Sequence, residues 1–463
     1  MAIERAAPLR TRVVPLAALL TTACAIACAA ACATPAELPA AGHLLITIDT
    51  DAPLPASGGG AVGIFDSLHL EVVGPDGRPA CDDCVREVGA TREDVARGAT
   101  FVVRTMRPAI LHVRLFSSRL GVASLDDAVV VQRWVQLPAA AGLGALPVTV
   151  ALPFEQVGVV QGSLTEPTVA DPPGSRLAPQ PLEPVLEAAS PGEVCVAGGW
   201  FWMGDPRLPA EGERTANVPR LVYVTSFCVD DHEVTVGELR ASGVDTSDVV
   251  KWSGTRATSN PASFCAYTER RGANDERAVN CVPWTTAREA CSTRGMVLPS
   301  EAQLEYLGTA FGRSPFVWGR EPPTCDDAMV ARSVPPLRGD ESCARGSRES
   351  SLPATAAELA TTRDVLHVSA LSPLSSPAGA TIVGLASNVS EWTREAFQPA
   401  TASCRLPDAG MARDPECPAT GATKRVAVRG GNLTSPPLEA AAALRAFVVL
   451  PRHRADLGFR CVR

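Results

Sequence analysis

Fifteen cysteines in a chain of 463 residues constrain the fold more than any other feature, because twelve of them lie from Cys81 onward and are spread over most of the remaining length. A cytosolic enzyme rarely carries so many thiols, whereas an exported chain pairs them, so a structural disulfide is the expectation for each. The N-terminus agrees. Arg5, Arg10 and Arg12 form a basic start, and residues 13–36 are uncharged and Ala-rich, the pattern of an export signal over residues 1–33. Apolar residues make up 46% of the chain, enough to fill a core in each of several domains, which excludes a disordered chain.

Charge removes further classes. There are 42 basic against 50 acidic residues, for a formal charge of -8, and no basic block lies along one face, so nucleic acid is not an expected partner. Only Lys251 and Lys424 are available for lysine chemistry. Histidines at 43, 69, 112, 232, 367 and 453 form no HxxH or HExxH pair, and neither a phosphate loop nor a nucleophile elbow is present, so zinc, kinase and hydrolase readings lack residues.

Within the leader, Ala25-Ile26-Ala27-Cys28 resembles a bacterial lipoprotein box that lacks its usual leucine, which makes Cys28 the first choice for a lipid-bearing N-terminus and Cys24 the alternative. A plain secretory signal and a transmembrane anchor remain as readings of the same run. Each puts the rest of the chain in an oxidising compartment.

Short β-type runs at 44–48, 68–73, 100–104, 110–116, 129–135 and 148–152, separated by turn clusters, predict an all-β sandwich over 44–160. His69 and His112 are expected on strand surfaces. Cys81 and Cys84 form a CxxC with no second CxxC and no nearby His, so a small loop-closing disulfide is favoured over a redox or zinc site. Residues 163–192 are Pro-rich without an apolar period and read as an extended linker.

Beyond the linker, an ordered series of blocks begins at Gly198-Gly199-Trp200-Phe201-Trp202-Met203-Gly204 and continues with Phe227-Cys228-Val229-Asp230-Asp231-His232-Glu233. Asn280-Cys281-Val282-Pro283-Trp284, Leu298-Pro299-Ser300-Glu301-Ala302 and Val317-Trp318-Gly319 follow. Asn388-Val389-Ser390-Glu391-Trp392, Val428-Arg429-Gly430-Gly431-Asn432 and Leu457-Gly458-Phe459-Arg460-Cys461 close the series. In this order they resemble the formylglycine-generating enzyme, or sulfatase-modifying factor, family over residues 193–463. The resemblance implies an α+β fold with little regular secondary structure, C-type-lectin-like in character.

Local chemistry adds detail. Thr285 or Thr286 is expected to cap the helix carrying Ala287 and Ala290, and Ser300 with Gln303 is a capping-box pattern opening a helix to Leu307. Arg429 and Arg460 are candidates for carboxylate pairs with Glu301, Glu305 and Glu391. The resemblance implies that the polar cluster Asp230, Asp231, His232 and Glu233 is a structural turn leading into a strand, with catalytic acid/base work as the alternative. The cluster Arg429, Gly430, Gly431 and Asn432 falls where the family places its cleft. Active relatives carry two copper-binding cysteines just after it; here those positions are Ser435 and Ala440, and no cysteine occurs between Cys417 and Cys461. Copper is therefore not expected. The family's calcium loop maps onto Glu391 with the Ser387 and Val389 carbonyls, while Gly384 replaces a usual Asp or Asn, leaving bound calcium and an empty hydrogen-bonded loop both open. The resemblance also implies a Cys291–Cys461 bridge. Proximity suggests Cys325 with Cys343 and Cys404 with Cys417, and Cys195, Cys228, Cys265 and Cys281 stay unassigned among three pairings.

The function that follows is that of a cell-envelope lipoprotein, on the periplasmic or outer-membrane face, held to the membrane through its lipid. Its C-terminal domain would act as a non-catalytic binding or structural module for a protein or glycan ligand. The alternative is an active formylglycine-generating-type oxidase or another protein-modifying enzyme.

Overall fold

A computed structural model of the chain describes residues 43–463 apart from 58–62, 82, 105–106, 121–128, 140–144, 179, 181–184, 186–187, 207, 209–214, 217–218, 255–263, 332–351, 369–376, 400–401 and 406–410. Cys24 and Cys28 thus lie outside the described residues. The N-terminal part is built from β1 (His43–Thr50), β2 (Ser67–Val73), β3 (Val85–Gly89), the short helix α1 (Arg92–Arg97), β4 (Ala99–Arg104), β5 (Ala109–Phe116), β6 (Val131–Leu137), β7 (Leu146–Leu152), β8 (Val160–Gln161) and β9 (Thr168–Val169). The strands form two sheets, ordered β4-β1-β7 and β3-β2-β5-β6-β8, with β9 also pairing β6. Strand alternation decides what meets between them. Leu44, Ile46 and Ile48 from one sheet and Leu68, Leu70, Val72, Leu111, Val113 and Leu115 from the other share one buried core, the arrangement of a sandwich.

Two expectations for this region change. His112 is not a surface residue; it is buried with its ring stacked on Trp134 at 3.7 Å. Nor do residues 163–192 simply extend away. Arg133 points into the sandwich, and a buried guanidinium needs partners, which the supposed linker supplies: Thr168 Oγ1 accepts from its Nε, Val169 O from Nη2, and Asp171 pairs with Nη1 at 2.7 Å. Arg176 then reaches back to Asp49 at 2.9 Å.

The C-terminal part comprises β10 (Glu193–Val196), β11 (Gly199–Met203), β12 (Thr215–Ala216), β13 (Arg220–Val224), β14 (Phe227–Asp230), α2 (Val236–Ala241), α3 (Trp284–Thr293), α4 (Glu301–Gly308), α5 (Ala356–Leu359), β15 (Val365–His367), β16 (Thr381–Val383), β17 (Ser390–Ala396), β18 (Met411–Arg413), β19 (Arg425–Arg429), β20 (Leu444–Val449) and β21 (Leu457–Gly458). Helices are few and short, and the widest sheet, β12-β20-β19-β17-β21, carries the strand that ends at Arg429. The capping box at α4 forms as expected, Ser300 Oγ accepting from Gln303 N and Gln303 Oε1 from Ser300 N. The cap expected at Thr285 or Thr286 does not. The helix α3 already starts at Trp284 behind Pro283, and the Thr286 hydroxyl donates to Asp248 instead.

The hairpin β11–β13 joins the two parts. Alternation sends Phe201 and Met203 into the C-terminal core and Trp200 and Trp202 the other way, onto the sandwich. There Trp200 meets Phe154 edge-on at 5.0 Å, Trp202 meets Phe65 at 6.0 Å, and the Trp202 Nε1–H donates to Ile64 O at 2.8 Å. A strand apolar on both faces is one covered on both faces. That signal was present in the Gly-Trp-Phe-Trp-Met block.

Disulfides join Cys81–Cys84, Cys195–Cys228, Cys265–Cys281, Cys291–Cys461 and Cys404–Cys417. Antiparallel register places Cys195 opposite Cys228, which decides a pairing that spacing left open. Cys325 is also disulfide-bonded, and Cys343 lies outside the described residues. Bridges at this density belong to a chain folded outside the cytoplasm. Among the described residues no helix is long and apolar enough to cross a membrane.

Candidate functional site

The residues expected at the cleft lie where β19 ends, and Arg429, Gly431 and Asn432 are buried there. Gly430 turns with φ +80, a conformation L side chains rarely adopt. Gly431 lies so close to the 384–389 loop that a Cβ there would stand 2.6 Å from Ala386 O, the same carbonyl that its N–H donates to. Asn432 then closes the turn: its Oδ1 accepts from Thr434 N and Thr434 Oγ1, and its Nδ2 donates to Ser390 Oγ at 2.9 Å. Ser435 is 3% exposed; its Oγ accepts from Asn432 N, its N–H donates to Asn432 O, and its carbonyl accepts from Ala331 N. Ala440 is fully buried in the C-terminal core against Gly431.

Beneath the turn lies an ion network. The Glu301 carboxylate, fully buried at the start of α4, takes Arg429 Nε at 3.0 Å, Arg445 Nε and Nη2 at 2.8 and 2.7 Å, and Arg405 Nη1 at 2.5 Å. Arg429 Nη1 also reaches Glu305 at 2.8 Å, and Glu395 accepts from Glu301 N and Cys417 N. Burial raises the Glu301 pKa, but the pull of Arg445, Arg429 and Arg405 wins and holds it well below the usual carboxylate range. Arg220 sits beside the network, lowered to about 10 by burial and then by Arg405. The pairing of Arg429 with Glu301 and Glu305 was legible in sequence. Arg405, Arg445 and Glu395 were not, since no local motif marks them.

A second buried cluster surrounds Arg460. Its Nε donates to both Glu391 oxygens at 2.7 and 2.9 Å, and its Nη2 to the Val383 and Gly384 carbonyls. Burial pushes Glu391 up to about 7 against the pull of Arg460, with Asp364 and Asp230 adding like charge. The Ser387 hydroxyl donates to Asp364 at 2.6 Å, and Asn388 braces the loop, donating to Glu233 and accepting from Ala354 N. Burial and the neighbouring Glu391 raise Glu233 well above its ordinary value.

The family comparison decides the matter: the profile of the "sulfatase-modifying factor enzyme 1-like domain" matches residues 181–463. The chain belongs to the sulfatase-modifying factor family. A search of curated proteins finds no match. Solved structures that resemble it include PvdO from Pseudomonas aeruginosa, 19% identical with a TM-score of 0.37, covering 58% of this chain and 93% of that one. The Treponema denticola variable protein 1 is 14% identical, TM-score 0.38, covering 58% and 94%; CarF is 16% identical, TM-score 0.33, covering 58% and 97%.

In this sulfatase-modifying factor domain the loop onto which the resemblance maps calcium is held by protein contacts: Glu391 gives both oxygens to the Arg460 guanidinium, and the Ser387 hydroxyl donates to Asp364. At the junction with the sandwich a cavity of about 230 Å³ is walled by Trp202, Asp205, Glu305, Arg119, Arg313 and Arg320, a mixed-charge lining suited to a polar ligand group.

The members of the Asp230–Glu233 turn separate, and the turn leads into the helix α2, not into the strand that the resemblance implied. Asp230 pairs with Arg294 and accepts from Cys461 N, while His232 is clamped between Asp231 and Glu238. The bonds to Asp231 and Glu238 raise His232 from 6.5 to about 10. Burial opposes ionisation of Glu238, but the His232 partner wins and lowers it to about 2. His232→Gln is expected to cost about 1–2 kcal/mol at neutral pH. Because the folded pKa is raised, this contribution is complete below about 6.5 and disappears as pH rises through about 10. Urea midpoints of wild type and variant should therefore converge on going alkaline; a gap that stays constant would contradict the clamp.

Proposed function

We propose that the chain is a cell-envelope lipoprotein, lipidated at Cys28 with Cys24 as the alternative, whose sulfatase-modifying factor domain binds a protein or glycan and does not oxidise cysteine. The observation that carries this reading is the pair Ser435 and Ala440, both enclosed by the chain's own atoms where active relatives carry two thiolates. A copper(I) site needs soft, deprotonated sulfur, and neither a hydroxyl nor a methyl group supplies it. The cysteines that flank the turn in sequence, Cys417 and Cys461, are held in disulfides with Cys404 and Cys291.

The test incubates the protein with copper, a reductant and a sulfatase-type cysteine peptide and looks for aldehyde by mass. No aldehyde and no bound copper are expected. Turnover that survives Ser435→Ala would overturn the reading in favour of an enzyme using other groups. Anchoring is tested separately, by mass spectrometry of the N-terminal peptide of the mature protein: a diacylated Cys28 or Cys24 is expected, and a free amino terminus beyond Cys32 would show simple secretion.

A further inference from the structure

The sandwich has an open side. Both β3 and β4 are edge strands of their sheets among the described residues, and between them lies a slot of about 350 Å³, within the range of small-molecule sites. Its floor is the sandwich core itself, Ile46, Leu70, Val72 and Leu111, and Phe101 and Val103 of β4 form one wall. Register explains the gap. Opposite Leu70, where an apolar residue on β3 would close the slot, stands Arg86. Arg86 is exposed, and its Nε donates to the carbonyl of Asp83 at 3.3 Å, in the turn stapled by Cys81–Cys84. Arg104 and His43 border the same mouth, where Asp83 is the single acid among the described residues.

We propose that this slot binds a single-chain anionic amphiphile, a free fatty acid, with the acyl chain between the sheets and the carboxylate at Arg86 and Arg104. An apolar cavity offers water too few partners and is better filled by hydrocarbon, with each buried methylene adding to the affinity. The basic mouth selects an anionic head. An added β-strand is the other occupant an open edge invites, and an inward-placed arginine on that edge works against it. One slot of this volume takes one chain, which disfavours a diacyl lipid. The slot lies outside the sulfatase-modifying factor domain, so a failure to bind dodecanoate would leave the reading of that domain untouched.

Calorimetric titration of the full mature chain with dodecanoate, below its micelle concentration, tests it. Saturable one-to-one binding is expected, with dodecylammonium at least about tenfold weaker, and the exposed double variant Arg86→Glu with Arg104→Glu should lose that preference for the anion. Val103→Trp should block binding by filling the slot; if that variant does not fold, the charge-reversal variant decides alone. Absence of saturable dodecanoate binding, equal affinity for the two head groups, or a preference untouched by the double variant would each overturn the proposal. So would binding to phosphatidylglycerol vesicles without binding to dodecanoate.

Discussion

Glu301→Ala is expected to leave the C-terminal domain unable to fold at physiological temperature. The carboxylate is the meeting point of Arg405, Arg429 and Arg445, all buried to 2% exposure or less, so its removal strands three guanidiniums in a site that water does not reach. Removing one partner of a single buried pair costs about 3–5 kcal/mol, and here one deletion uncouples three pairs. Glu305 and Glu395 remain nearby, yet Arg445 touches neither in an ion pair among the described residues. Chemical denaturation of the purified chain checks this, with Glu289→Ala on the exposed face of α3 as the control. A midpoint close to wild type for Glu301→Ala would show that the arginines find other anions. Because the folded pKa of Glu301 is depressed, its contribution is present above about 4.5 and is lost only as the medium becomes strongly acid.

The second large effect is expected at Cys291–Cys461. The bridge closes a loop with a sequence separation of 170, for which the chain-entropy relation gives about 5 kcal/mol. It also fixes the last residues against three elements. Val462 pairs with both Val229 and Val297, Cys461 N–H donates to Asp230, and Arg460 holds Glu391. Replacing both cysteines by alanine should therefore lower the unfolding midpoint more than replacing Cys404 and Cys417, whose loop has a separation of only 13. Peptide mapping without reduction confirms the pairing. Equal losses from the two double variants would mean that the long bridge constrains little that packing does not already constrain.

The parts of this molecule that could be read from sequence are those whose cause is local or motif-borne. The capping box at Ser300 needs only two side chains three residues apart, and the Cys81–Cys84 staple only a tight turn. The six runs that predicted a sandwich reappear as strands β1, β2 and β4–β7 because alternation is a property of single segments. What stayed hidden depends on distant segments meeting. Arg445 joins Glu301 across 144 residues, and nothing in its neighbourhood distinguishes it from a surface arginine. The folding back of residues 168–176 follows from the need of Arg133 for anions and carbonyls inside the sandwich, a need visible only once Arg133 is known to point inward. At the turn, sequence gave the identities Ser435 and Ala440, whereas their enclosure follows from the approach of Gly431 to the neighbouring loop.

The tryptophans of β11 carry a consequence for how such a chain can be divided. Trp200 and Trp202 belong to the same strand as Phe201 and Met203 yet serve the other core, so neither half owns a complete surface. A C-terminal half made alone would leave the export machinery with two bare indoles on a sheet face, the kind of patch that chaperones retain and proteases clear. Cutting this chain at the linker is therefore expected to cost its C-terminal part solubility, because the outer face of the hairpin is finished only by the sandwich.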